Sequence, residues 1–310
     1  MKEKVLYRIM FCCWYAVSKL PACVHYFNSL WLSALLFHVI RYRRKLVHRQ
    51  MKDSFPGKSD KELWLLERRF YLHFCDILAE SVMYFAMSEE EIMRRMRFIN
   101  VERVRESARN GKNIGIYLGH YANWEWISSF SLWTEGTCTA AQLYHPLENP
   151  VFDRLIAYTR QRFGAVNISV NESVRAMVKL KQQGKPILVG FIADQAPFWN
   201  NIHYWTPFLN HPETPIFTGA EKLMKKLDMD VYYLDVRQVK RGCYEAEFVL
   251  ITDRPKQEPE FAITERYTRM LEQTIIKAPS LWLWSHNRWK RTKEEWLKMY
   301  DPASGKVIMG

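Results

Sequence analysis

A chain of 310 residues with 48% hydrophobic and 25% charged residues has the composition of a folded protein that buries a sizeable core. A formal net charge of +12 points to an anionic partner, whether nucleic acid, anionic lipid or an acidic carrier, and charge alone does not choose among them. Six scattered cysteines (12, 13, 23, 75, 138 and 243) with no Cys-x-x-Cys spacing argue against a zinc site or disulfide framework and for a reducing compartment.

The N-terminus is apolar. Val5 to Leu20 carries only Arg8 and Lys19 as charges, and Ala22 to Ile40 is 19 residues without Asp, Glu, Lys or Arg. Arg41, Arg43, Arg44, Lys45 and Arg49 follow, the pattern of an apolar segment with a cytoplasmic basic flank. No small-residue cleavage site follows, which argues against a removed signal peptide. The expectation is a membrane-associated helical region over 1–50, spanning or lying in the interface, and the alternative is a buried helix pair. His25, Asn28 and His38 favour the alternative. Aromatics at 15%, with 12 Trp, suit an interfacial protein or a Trp-rich core equally.

Asp53 to Asp60 is a turn-rich break. A long helix is expected over about 60–86, capped by Ser59 or Asp60, with Leu63, Leu66, Phe70 and Phe74 at helical spacing. Glu89-Glu90-Glu91 reads as the first turn of another helix. From residue 113 strands and helices alternate. Strands are expected at Ile114–Leu118, Thr137–Leu143, Ala165–Val170 and Pro186–Ala193, and helices at Asn123–Trp133, Val151–Phe163 and Glu172–Gln183. A Pro- and aromatic-rich loop over 194–215 precedes a helix near 217–227, strands at 229–237 and 243–252, and a helix at about 260–277. The alternation argues for an α/β domain over 51–310 with a mostly parallel central sheet flanked by helices.

In such sheets ligand residues collect beyond the carboxyl ends of strands, where both His120 and Asp194 fall. His120 and Glu125, in Gly119-His120-Tyr121-Ala122-Asn123-Trp124-Glu125-Trp126, have the components of a general base and an orienting carboxylate. Asn123 is placed to cap the helix that begins there. Taken alone, a His-x4-Glu pair is more often a surface ion pair or a loop histidine. Arg160 and Arg162 read either as a solvated helix end or as an anion-binding fork, and Asp194 either as a turn residue or as a ligand residue. Tyr144 and His145 either line a cleft or form a His-Pro turn. Arg288, Lys290, Arg291 and Lys293 read as a basic strip on a solvated helix face or as a contact for anionic headgroups or an acidic carrier. Phe and Trp residues around 198–208 read as an acyl-groove wall or as ordinary core.

With these residues in order, the sequence resembles the late lipid A biosynthesis acyltransferases of the lysophospholipid-acyltransferase superfamily, across nearly the whole chain. The most specific element is His-x4-Asp/Glu, present as His120 and Glu125. Phe55-Pro56, a helix ending near Glu80, Tyr144-His145-Pro146, Arg160-Gln161-Arg162, Asp194-Gln195, Pro207-Phe208 and Trp282 to Lys290 come in family order. The Gly-His-Tyr-x-Asn-Trp-Glu form is similar to that of members from Bacteroidetes-type bacteria. His145 departs from a more usual Arg and Asn287 stands where many members have Arg, which bears on the headgroup rather than the reaction.

The resemblance implies a glycerolipid-acyltransferase-like fold and O-acyl transfer from an acyl-carrier-protein thioester to a hydroxyl of a lipid A precursor. His120 would be the base, Glu125 its orienter, and Arg160, Arg162 and Asp194 substrate-binding residues. It implies no metal or redox cofactor, and partners comprising acyl carrier protein, an anionic lipid or lipid A precursor and the membrane, at the cytoplasmic face of the inner membrane. A lysophospholipid, glycolipid or aminolipid acceptor keeps the same chemistry. A non-catalytic basic binding protein is the alternative from another class, and no nucleic-acid motif supports it.

Overall fold

Three helices, α1 (Lys2–Ser18), α2 (Ala22–Ala34) and α3 (Arg44–Ser54), open the computed structural model, which describes residues 2–308. α2 runs on as a π-helical turn over Leu35–Val39. The stretch Ala22–Val39 has a mean hydropathy of 1.2 and only 22% of it is buried, so its apolar side chains lie mostly uncovered. Among the described residues it is the one helical stretch long and apolar enough to cross a membrane. The uncovered residues include Phe27, Trp31 and Val39, whereas Ser29 and Ser33 face the protein. This helix therefore turns its polar side inward, the reverse of a soluble amphipathic helix.

Helix α4 (Asp60–Tyr84) starts at a reciprocal capping box. Ser59 Oγ accepts from the Glu62 N–H, and the Glu62 carboxylate accepts from the Ser59 N–H at 2.8 Å, so Ser59 rather than Asp60 is the cap. Helix α5 (Glu89–Arg95) follows, with its three glutamates at the positive end of the helix dipole. Strand β1 (Met96–Ile99) and helix α6 (Val101–Arg109) lie in a stretch to which the sequence pattern assigned no element. β2 (Asn113–Leu118), with all six residues buried, leads into the 119–125 loop and a 3-10 segment, Trp126–Trp133, where an α-helix was expected. β3 (Thr139–Tyr144), α7 (Pro150–Gln161), β4 (Val166–Ser169), α8 (Ser173–Lys181) and β5 (Ile187–Ile192) continue the alternation.

The expected loop over 194–215 instead holds most of an antiparallel hairpin, β6 (Ile202–Phe208) and β7 (His211–Phe217). Pro207, Pro212 and Pro215 hid it, because proline reads as a strand breaker; in a two-stranded sheet each strand has a free edge on which the missing N–H costs nothing. Helix α9 (Gly219–Leu227), strands β8 (Met229–Lys240) and β9 (Cys243–Thr252) and helix α10 (Ala262–Lys277) complete the main unit. Helix α11 (Lys293–Met299) and the short pair β10 (Tyr300–Asp301) and β11 (Lys306–Val307) end it.

The seven-stranded sheet has the order β1-β9-β8-β2-β5-β3-β4. Only β8 and β9 pair antiparallel, so the expected α/β architecture with a mostly parallel sheet is what forms. β2 lies in the middle, which is why its sequence is a continuous apolar run instead of an alternating one. Its two faces meet different partners. A Cβ on Gly115 would press on Met224 of α9, and Tyr117 stacks on Tyr267 of α10 at 4.4 Å. Ile116 and Leu118 face the opposite side, with Ile127 and Phe130 of the 3-10 segment. The expected boundary after residue 50 falls inside α3, and Phe37, Val47 and Met51 join the same apolar core as the sheet.

Candidate active site

Strand register brings the site together. β2 and β5 are parallel neighbours with Leu118 opposite Ile192, so the residues two positions beyond each, His120 and Asp194, emerge side by side at the carboxyl edge. His120 Nδ1 lies 2.7 Å from Asp194 Oδ1. Asp194 Oδ2 accepts from the His120 backbone N–H at 2.9 Å and from Trp282 Nε1 at 2.7 Å. Asp194 is almost fully buried; desolvation alone would raise its carboxyl, but the neighbouring imidazole and these three donors outweigh it and hold the group below the usual aspartate range. An ionised carboxylate only accepts, so Nδ1 carries the proton and Nε2 is left as the basic nitrogen. Gln195 Nε2 approaches it at 3.4 Å, and the ring packs edge-on against Trp124 at 5.4 Å. Close packing also explains Gly119. A Cβ there would come within 2.8 Å of Leu271 on α10 and 3.4 Å of the Asp194 carboxylate.

This geometry corrects the expected pairing. Glu125 does not touch His120; it receives Arg160 in a two-pronged ion pair, Nε to Oε2 at 2.9 Å and Nη2 to Oε1 at 2.7 Å. Asp194 occupies the orienting position, holding the histidine and no arginine. Arg162 is not brought to Glu125 either. Residues two apart on a helix point to nearly opposite sides, and Arg162 instead donates to the Tyr84 carbonyl at the end of α4 and stacks on Phe163.

The loop between His120 and Glu125 is tied from two directions. Ala122 N–H donates to Leu281 O at 3.0 Å and Leu283 N–H to His120 O at 3.1 Å, which sews the loop to the C-terminal Trp282 segment. Asn123 is not the cap it was expected to be, since Glu125 takes the N-cap position of the 3-10 segment; its Oδ1 instead accepts from the Trp126 N–H at 3.0 Å and closes the loop. Its amide donates to Glu80 Oε2 at 2.6 Å, and Trp126 Nε1 donates to the Glu80 carbonyl at 3.2 Å. The sequence named Glu80 and Trp282 only as landmarks; their contacts to the loop and to Asp194 depend on packing over long sequence separations.

An apolar cleft opens beside the pair, lined by Trp124, Ile127, Phe130, Ala141, Leu188 and Gly190 with the Glu125–Arg160 pair on its wall. The aromatics of 198–208 do not line it. They belong to the β6–β7 region, where Phe208 packs on Trp282 and Trp289, and Phe198 is exposed. The basic strip is also dispersed. Residues 285–291 are not helical; Arg288 is buried and donates to Pro215 O, Arg291 lies over Phe198 and Trp199, and Lys293 pairs with Glu213. His286 is pushed down to about 4 by burial and by Lys290, and accepts from the Ala196 N–H at 3.3 Å, which braces the residues that follow Asp194.

A base and its buried carboxylate at the edge of a parallel sheet, beside a narrow apolar cleft carrying one cation, form an arrangement suited to moving an acyl chain onto a hydroxyl. Comparison with known proteins agrees. The family model for bacterial lipid A biosynthesis acyltransferases matches residues 3–291. The lipid A biosynthesis lauroyltransferase of Escherichia coli is 22% identical over 283 residues, covering 90% of this chain and 89% of that protein. A lipid A biosynthesis acyltransferase of Haemophilus influenzae is 24% identical over 269 residues, covering 85% and 80%. This chain belongs to the bacterial lipid A biosynthesis acyltransferase family.

Proposed function

We propose that this acyltransferase moves a fatty acyl chain from an acyl-carrier-protein thioester to a hydroxyl of a lipid A precursor, at the cytoplasmic face of the inner membrane. The observation that carries the mechanism is the Asp194–His120 contact, which leaves Nε2 as the base with only the long Gln195 contact on it. The apolar, uncovered side of α2 supports membrane association. The net charge of +12 suits both an acidic carrier and a phosphorylated glycolipid.

An aliphatic hydroxyl is a weak nucleophile at neutral pH. His120 Nε2 takes its proton as the oxygen attacks the thioester carbonyl carbon. Asp194 stabilises the imidazolium. The carbon–sulfur bond then breaks, and the departing thiolate takes the proton back from Nε2, so the protein is unchanged at the end of the cycle. Arg160, held by Glu125 on the cleft wall, meets the negative charge that develops on the acyl oxygen. Mass spectrometry of lipid A from a strain lacking the gene tests the acceptor. The expected result is loss of one acyl chain, and unchanged lipid A overturns the assignment. Purified enzyme offered carrier-bound and coenzyme A-bound acyl groups, with lysophospholipid as a rival acceptor, separates the remaining choices.

Two consequences follow from the cleft. Glu125→Gln and Arg160→Met each lower kcat about a hundredfold, and the double variant is close to the worse single one, because one removes the cation and the other the carboxylate that holds it in place; additive losses would mean that the two residues act separately. Gly190 lines the cleft, and a Cβ there meets only Leu118 at 3.6 Å, so the position has room for a larger residue. Gly190→Leu fills that room and moves the preference among acyl donors toward shorter chains by about tenfold in kcat/KM. An unchanged chain-length profile would place the acyl chain elsewhere.

A further inference from the structure

We propose that Glu80 is a positioning residue for acyl transfer: its carboxylate fixes the loop carrying His120 and Glu125 and hooks the apolar helix α2 onto that loop. The seating of α2 thereby sets the alignment of the site. This rests on the acyl-transfer reading above.

The carboxylate sits at a four-way junction. Oε2 accepts from Asn123 Nδ2 at 2.6 Å, in the loop, and from Tyr244 Oη at 2.8 Å, on β9. Oε1 accepts from Tyr26 Oη at 3.0 Å, on α2. Asn123 lies midway between the base and the cation holder, next to Ala122, whose φ of 50° is an uncommon conformation for alanine. Holding Asn123 therefore holds both ends of the motif. Tyr26 is itself fitted tightly. A Cβ on Gly242, in the β8–β9 turn, would lie 1.8 Å from its hydroxyl, and the φ of 71° there also calls for glycine. The neighbouring Arg241 grips Asp76 at 2.8 and 2.6 Å, Ser29 Oγ at 2.9 Å and Tyr26 O at 3.2 Å, so α2, α4 and the β8–β9 turn close around one buried polar core.

The junction is costly for the fold. Glu80 is 0% exposed and, among the described residues, forms no ion pair; the nearby Arg241 is paired with Asp76 and reaches Glu80 only through its field. The ionisable groups acting on it are Tyr26 of α2, Asp76 of α4, Tyr244 of β9 and Arg241 of the turn, with Arg95 of α5 acting on Tyr26. Burial pushes its carboxyl up to about 7 against the hydrogen bonds that lower it. The raised value means the folded state prefers the protonated group. Its contribution to stability is fully present below the unfolded value and is lost as pH rises through about 7. A glutamine would accept from Asn123 and Tyr244 with its oxygen and donate to Tyr26 with its amide, without that penalty.

The test assays Glu80→Ala, Glu80→Gln, Asn123→Ala, Tyr26→Phe and the Tyr26→Phe/Asn123→Ala double variant against the unaltered full chain in one acyl-transfer assay, with Tm read at about pH 5 and about pH 8.5. Glu80→Ala and Asn123→Ala are expected to lower kcat about thirtyfold, with KM moving less than about twofold, since neither residue touches substrate. Tyr26→Phe loses about fivefold, and the double variant stays near Asn123→Ala alone, because both act through one carboxylate. Glu80→Gln recovers most of the kcat lost in Glu80→Ala, and its Tm rises relative to the unaltered chain by a few degrees, about 3, between the two pH values. Variants with unaltered kcat overturn the proposal, as do losses that merely follow Tm, or strict additivity of Tyr26 and Asn123. Absence of transfer by the unaltered chain itself overturns the underlying reaction, a separate and recognisable failure.

Discussion

Alanine at position 120 lowers turnover about a thousandfold, with the protein folded and KM within a few-fold of its original value. The expectation follows from how little else in the site can take a proton. Asp194 is buried beneath the imidazole and saturated by three donors, and Glu125 is occupied by a guanidinium on both oxygens. His120 is partly exposed and has one nitrogen without a strong partner. Removing it leaves substrate positioning and the Arg160 charge, which sustain residual transfer above the uncatalysed rate. Single-turnover measurement with purified enzyme and labelled acyl donor separates loss of chemistry from loss of binding. A His120→Ala variant that transfers within tenfold of the original rate would remove the base assignment.

Much of this site was legible in the sequence because its parts sit at strand ends, and strand ends are marked by where apolar runs stop. Ile114–Leu118 and Pro186–Ala193 each end one or two residues before a polar side chain, and that placement singled out His120 and Asp194 together. Which carboxylate meets the imidazole was not legible. It depends on Leu118 pairing with Ile192, a register that no local pattern encodes. Chain proximity favoured Glu125, five residues away, over Asp194, seventy-four away. The arginines failed for a related reason. A helix was expected over Val151–Phe163, where a spacing of two gives nearly opposite faces, but which of the two meets Glu125 depends on how α7 packs and favours Arg160. The β6–β7 hairpin was concealed by its prolines, and the 282–288 segment by having no periodic structure. Glu80 stood inside a helix whose apolar spacing was read correctly, but a buried glutamate leaves no mark on hydrophobic periodicity.

Asparagine in place of Asp194 is expected to cost about a thousandfold to ten-thousandfold in kcat while sparing the fold, and the reason is tautomeric. The carboxylate has two oxygens with unequal duties. Oδ2 serves two fixed donors, the His120 N–H and Trp282 Nε1, and Oδ1 serves the imidazole Nδ1. An asparagine has one acceptor oxygen, and the two immovable donors claim it. Its amide then faces Nδ1, which can accept that hydrogen bond only without its own proton. The proton moves to Nε2, the nitrogen that must be bare to deprotonate the acceptor hydroxyl. No rise in pH restores the base, because the fault lies in which nitrogen is protonated and not in how many protons the ring holds. Nitrogen NMR of labelled histidine reads the tautomer directly. It is expected to reverse in Asp194→Asn and to stay unchanged in Glu125→Gln, whose partner is Arg160. If Glu125→Gln reversed the tautomer while Asp194→Asn did not, the motif's own glutamate would be the orienter and the buried aspartate a structural residue. With both the tautomer and the rate measured, the pair of variants assigns the imidazole's partner without relying on the magnitude of either loss.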